Sequence, residues 1–328
     1  MGGGLRGFWH ILSTSARQAL VRQPDVPNSD VPASTQSGTL SRLGRYQIEA
    51  EIGRGAMGMV YRAHDSESGD IVALKTFVWA NNDGDADEAV DARNRFLAEA
   101  DTARRLHHAG IVALRDAGED RGLAYMAMAF APGTSLETYT APDRLLPPAT
   151  VLAVGARVAD ALAHAHRQGV LHRDIKPANV IVDLDSRSVK VTDFGVAGLV
   201  DAARTRSGVM LGTPAFMAPE VLTGQRADAR SDVYALGVTL FQLLTGRLPH
   251  QSTSLAELMR SIVHQDAPDV RSLRPELDEG AARVVARAMH RQPQLRHAQA
   301  QALADELRAA ARGIPGGSDA FLDSPGSS

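Results

Sequence analysis

The sequence predicts an α+β protein of two lobes, a small antiparallel β-sheet lobe with one key helix and a larger, mainly helical lobe. Three observations carry this expectation. Short β-branched and aromatic runs, separated by Gly- and Asp-containing turns, fill residues 46–80. Beyond Gly133 the apolar residues recur at helical spacing. The 328 residues suffice for one large domain or for two lobes with tails.

Taken in order, residues 1–44 read as a tail. Leu5, Phe8, Trp9, Leu12, Ala16 and Ala19 recur every three or four residues, with Arg6, Arg17 and Arg22 among them. The stripe fits a short amphipathic helix docking on a partner or a membrane surface, or a partly ordered tail with a chance pattern; the second reading is preferred. Met1-Gly2 suggests myristoylation, but Arg6 stands where that motif needs Ser or Thr. Residues 23–44, rich in Pro, Ser, Asp and Gln, read as a disordered linker.

The globular region then spans 45–312, as a first lobe and connecting segment (45–131) and a second lobe (132–312). Strands are expected at Tyr46–Glu49, Met59–Ala63 and Ile71–Lys75. A helix follows from about Asp85 to His107, and strands near Ile111–Arg115 and Leu123–Phe130 complete the lobe. Val151, Val154, Val158 and Leu162 share one face of a helix that Gly169 terminates. Val180-Ile181-Val182 forms a strand, and further helices fall near 230–245, 253–263, 278–290 and 297–311. Residues 313–328 are Gly, Pro and Ser with few anchors, a second tail. A ligand is expected between the lobes.

Composition excludes several classes. Hydrophobic content of 44% and charged content of 22% are those of an ordinary globular protein. A formal net charge of −3 gives no basic stripe for nucleic acid. The absence of cysteine excludes a disulfide scaffold and a thiolate metal site. No stretch approaches the ~20 apolar residues of a membrane-spanning helix, and no secretory signal is evident, so a cytoplasmic protein is the default.

The most informative run is His172-Arg173-Asp174-Ile175-Lys176-Pro177-Ala178-Asn179. Its spacing suits phosphoryl transfer to a hydroxyl, with Asp174 accepting the hydroxyl proton and Asn179 holding magnesium against the phosphates. Upstream, Gly53-Arg54-Gly55-Ala56-Met57-Gly58-Met59-Val60 lies between two strands, which removes the strand–helix context a dinucleotide fold requires. The glycines let backbone N–H groups approach phosphates. Lys75 closes the run Val72-Ala73-Leu74-Lys75, placed to neutralise the α- and β-phosphates. Glu99 is the preferred carboxylate partner for this lysine, with Glu88 the competitor. His107 and His108 read as turn residues, because no third metal ligand follows at suitable spacing.

On these residues the chain resembles the eukaryotic-like (Hanks-type) protein kinases, above all their bacterial serine/threonine members, over about Arg45 to Ala311. The resemblance implies a bilobal protein-kinase-like fold. It implies that Asp193, in Asp193-Phe194-Gly195, chelates a magnesium ion, with manganese as an alternative. It implies that Ala218-Pro219-Glu220 closes the activation segment, that Asp232 braces the catalytic-loop backbone, and that Arg296 pairs with Glu220. The ATP site it implies comprises Ile52, Gly53, Gly55, Gly58, Val60, Ala73, Lys75, Met128, Phe130 and Ala131. Met128 is the gatekeeper in that reading, and Ala129 stands where the family often has Glu. Phe216 likewise replaces a frequent tyrosine.

Lys176 is the form found in serine/threonine kinases and some small-molecule kinases. Thr213, in Gly212-Thr213-Pro214, is expected to hydrogen-bond Asp174 and Lys176. Arg173 calls for an anion, which phosphorylation of Thr205 or Ser207 would supply. The implied function is ATP-dependent transfer to Ser/Thr hydroxyls of proteins, with autophosphorylation of the activation segment. The alternative is a pseudokinase or nucleotide-binding scaffold, but Lys75, Asp174, Asn179 and Asp193 are all intact. A small-molecule kinase is disfavoured by the complete segment from Gly212 to Glu220. Oligomeric state and physiological substrates are not legible.

Overall fold

The computed structural model describes residues 40–55, 58–78, 86–194 and 214–314. The tails at 1–39 and 315–328 lie outside the described residues, as do Gly195, Thr205, Ser207, Gly212 and Thr213. The chain forms two compact units. One holds the described residues before Trp79 together with Gly118–Phe130, and the other holds the described residues of Ala80–Ala117 and those from Ala131 onward.

The first unit is built on β1 (Arg42–Leu43), β2 (Tyr46–Gly55), β3 (Gly58–Asp65), β4 (Ile71–Val78) and β6 (Leu123–Ala129). With β5 (Leu114–Asp120) they make a six-stranded sheet in the order β1-β2-β3-β4-β6-β5. Strand alternation decides which side chains meet. Ala63, Val72, Leu74 and Ala127 turn to one face, where they bury against Leu43 and Tyr46. Cross-strand register then aligns Val60 with Lys75 and Met126, and Arg62 with Ala73 and Met128, on the other face. The sheet begins earlier than the sequence suggested. Arg42 and Leu43 pair with β2, and Leu43 is fully buried, so the linker read to residue 44 ends before them. Two leucines, Leu40 and Leu43, in an otherwise polar run are too few to set a period.

The second unit carries α1 (Ala86–Arg104), α2 (Pro148–Arg167), α3 (Pro219–Leu222), α4 (Ala229–Thr245), α5 (Leu255–His264), α6 (Glu279–Ala288) and α7 (Ala300–Gly313). A small sheet of β7 (Thr134–Ser135), β8 (Val180–Asp183) and β9 (Ser188–Val191) joins them. Helix α2 starts with Pro148 in its first turn and ends where Gly169 adopts a left-handed φ of 75°. Valines and a leucine are not its only buried residues. Alanines at 153, 156, 159, 161, 163 and 165 are buried too, so the helix is covered nearly all round by α4, α7 and β9. Helix α4 opens with a reciprocal capping box between Asp228 and Ser231 and stops at Gly246. The strand expected at Ile111–Arg115 starts instead at Leu114, and Ile111 makes a single parallel bridge to Val191. The turn at His108, whose ring and carbonyl accept the N–H groups of Gly110 and Ile111, occupies the preceding chain. Among the described residues no helix is long and apolar enough to cross a membrane.

Candidate active site

In the second unit, the loop between α2 and β8 carries the informative run, and a buried carboxylate on α4 shapes it. Asp232 is 1% exposed. Its Oδ2 accepts the His172 backbone N–H at 2.9 Å, and its Oδ1 accepts that of Arg173 at 2.8 Å. His166, on the last turn of α2, places Nε2 2.8 Å from the same Oδ2. Burial alone would raise this carboxyl, but the hydrogen bond from His166 foremost, then His172 with its backbone N–H, hold it below the usual range. These bonds secure Arg173 at a left-handed φ of 65°, a costly conformation for a side chain with Cβ.

His172 is fully buried and spans two segments. Its Nδ1 accepts the Asp174 N–H at 3.2 Å, which assigns the proton to Nε2, 2.7 Å from the Thr192 carbonyl. The ring also meets Phe194 edge-on at 4.6 Å. Asp193, between these two contacts, takes a left-handed φ of 65°.

Asp174 is consequently fixed at its backbone and at one oxygen. Lys176 Nζ donates to Oδ2 at 2.7 Å, and Asn179 Nδ2 donates to the same oxygen at 3.0 Å and to the Asp174 carbonyl at 2.8 Å. Oδ1 has no hydrogen-bond partner among the described residues, and the side chain is 37% exposed. A carboxylate with one oxygen tied down and one open can take a proton from an incoming hydroxyl. The Asn179 amide, having turned its nitrogen to Asp174, presents its oxygen elsewhere. That oxygen and the Asp193 carboxylate are the hard donors magnesium prefers, so the residues present fit the ion.

Glu220 and Arg296 form a separate buried pair. Both guanidinium NH2 groups meet the two carboxylate oxygens at 2.8 Å, and Ser231 donates to Oε1 at 2.9 Å. Arg296 also donates to the carbonyls of His290, Arg230 and Arg291 and lies over the Tyr234 ring at 4.8 Å. Burial would raise the Glu220 carboxyl, but Arg296 outweighs it and holds the group low.

In the first unit the β2–β3 turn brings Gly55 opposite Gly58. Gly58 has φ 154°, and a Cβ there would stand 1.8 Å from the Thr76 carbonyl oxygen. Gly53 is buried, and Ile52 and Val60 are half-buried on the same strands. Lys75 sits on β4 with its ammonium 5.7 Å from the Phe77 ring centre. Met128 and Ala131 are buried, and Phe130 lies under the Arg62 guanidinium at 5.7 Å. Glu99 is half-buried on α1 in the second unit.

Two residues of this region, His166 and Glu137, belong to no sequence motif. His166 could have been sought as the donor that a buried Asp232 requires. Glu137 gave no signal, because its half-burial on the 3₁₀ turn Leu136–Tyr139 depends on how that turn packs against Pro177–Asn179.

Residues 46–307 match the family model described as "Protein kinase domain". Among relatives, serine/threonine-protein kinase PrkC of Bacillus subtilis is 33% identical, over 81% of this chain and 40% of that protein. Serine/threonine-protein kinase pkn3 of Myxococcus xanthus is 36% identical, over 81% and 50%, and PknJ of Mycobacterium tuberculosis is 38% identical, over 82% and 46%. The chain thus spans half or less of these relatives' lengths. The solved structure of Rad53 1-466 in complex with AMP-PNP shares the fold at a TM-score of 0.66 and 24% identity, over 80% of this chain and 64% of that one. The chain belongs to the protein kinase family, in the eukaryotic-like branch that contains the bacterial serine/threonine kinases.

Proposed function

We propose that the chain is an ATP- and magnesium-dependent protein kinase that transfers the γ-phosphoryl group to Ser and Thr hydroxyls of proteins. The observation that carries this reading is Asp174, whose Oδ2 is tied by Lys176 and Asn179 while Oδ1 stays open. The substrate hydroxyl gives its proton to Oδ1 as its oxygen bonds to the γ-phosphorus, and the bond to the β-phosphate oxygen breaks to release ADP. Lys176 stabilises negative charge on the group in transfer. Asn179 and Asp193 are assigned to magnesium, which when bound neutralises phosphate charge. Lys75 is assigned to the α- and β-phosphates, with Glu99 as the carboxylate that orients it. Gly53, Gly55 and Gly58 are assigned to the phosphates by close backbone approach. Ile52, Val60, Ala73, Met128, Phe130 and Ala131 would enclose the adenine.

Thr213 is assigned to the substrate side of Asp174. Thr205 and Ser207 are assigned as autophosphorylation positions, whose phosphates would pair with Arg173. Supporting the activity are the intact set Lys75, Asp174, Asn179 and Asp193 and the names of the relatives. Incubation with γ-labelled ATP, magnesium and histone should label Ser or Thr in both the chain and the histone. Label confined to small molecules, or no label, would refute the reading.

A further inference from the structure

Glu137 is a carboxylate that the roles above leave unused. It lies in the 3₁₀ turn Leu136–Tyr139, within the second unit. The turn is fastened to the catalytic loop. Ser135 caps it, accepting the Glu137 N–H at 3.2 Å, and the same hydroxyl donates to the Pro177 carbonyl at 3.2 Å. Leu136 anchors it in the core at 1% exposure. The Glu137 side chain is half-buried, and its carboxylate makes no hydrogen bond or ion pair among the described residues. Lys176 is near enough for its charge to act on Glu137, although the Lys176 ammonium is itself bonded to Asp174. Burial raises the Glu137 carboxyl, and Lys176 only partly opposes it.

A half-buried carboxylate without a hydrogen-bonded partner is unfavourable unless a cation arrives. The turn that carries Glu137 packs on Pro177–Asn179 of the catalytic loop and is bonded there through Ser135, so whatever supplies the cation arrives on the side of that loop which carries Asp174. We infer that Glu137 is a specificity-determining residue, which binds a basic side chain of the protein substrate close in sequence to the phosphorylated Ser or Thr. Arginine suits it better than lysine, because its planar fork can meet both carboxylate oxygens. The inference rests on the kinase reading above and adds the substrate class to it.

The test uses serine peptides in an alanine background, with arginine placed singly at each of five positions on either side, matched glutamate peptides, and a neutral parent. For the wild-type chain one arginine position, or two adjacent ones, should raise kcat/KM about tenfold over the parent, chiefly through KM. In Glu137→Gln that ratio should fall towards one. In Glu137→Arg the gain should pass to glutamate at the same position, a reversal that loss of packing would not produce. Because each ratio is taken within one variant, differences in folded fraction cancel. An arginine gain that survives Glu137→Gln, or a wild-type chain indifferent to arginine, overturns the inference. Phosphorylation of the neutral parent with no arginine effect sinks this inference alone. No phosphorylation of any peptide or of histone sinks the kinase reading with it.

Discussion

Arg296 distributes its donors over one carboxylate and three carbonyls while 0% of its side chain is exposed. Such a residue is expensive to bury and more expensive to break, since truncation strands Glu220 as an uncompensated charge. Arg296→Met should therefore lower stability by about 3–5 kcal/mol, read as a drop in the urea midpoint at pH 7. A change under about 1 kcal/mol would mean that water reaches the pair. Residue identities at this scale were legible where chemistry demands a fixed spacing, as from His172 to Asn179. Partners were less so. That Asp232 meets the His172 and Arg173 N–H groups came from resemblance, and the third donor, His166, emerges only when α2 and α4 are packed together. Glu137 was illegible for the same reason, since burial is a property of neighbours and not of a residue.

At the scale of elements, strand β4 shows why some segments read plainly. Its alternation sends Val72 and Leu74 to the core and leaves Ala73 and Lys75 on the opposite face, so period two is written directly in the sequence. Strand β5 lacks that period: Leu-Arg-Asp-Ala-Gly-Glu-Asp has no fully buried residue and is paired at a sheet edge, which needs no hydrophobic pattern. The β2–β3 turn contributes a testable element. Gly58 is held at φ 154° with its missing Cβ directed at the Thr76 carbonyl. Gly58→Ala should displace the turn, reducing stability by at least about 1–3 kcal/mol and raising the KM for ATP severalfold. An unchanged melting temperature together with an unchanged KM would show that the turn relaxes freely.

Across the whole molecule, several buried groups give stability the same pH dependence. Asp232 and Glu220 are held below their ordinary values of 3.8 and 4.5, so their contribution is complete above those values and is lost as pH falls through the folded ones. His250 and His297 are buried, and burial pushes both below 6.5, against an opposing pull from Glu306 on His297. The unfolded chain therefore takes up protons below about pH 6.5 that the folded chain refuses, and stability declines from there downward. The urea midpoint should fall steadily between pH 7 and 5, and His297→Gln should flatten part of that fall. A midpoint constant over this range would contradict the burial of these imidazoles.

The fold as a whole was legible because two lobes of different period follow each other in the sequence. The chemistry was legible because the run around Asp174 keeps its spacing. The central claim is that Asp174 takes the substrate proton, and single-turnover transfer by Asp174→Asn tests it most directly. Transfer from saturating ATP–magnesium to a serine peptide should slow by about 10²–10⁴-fold while ATP binding is retained. A variant that binds ATP and transfers at the wild-type rate would remove Asp174 from the mechanism.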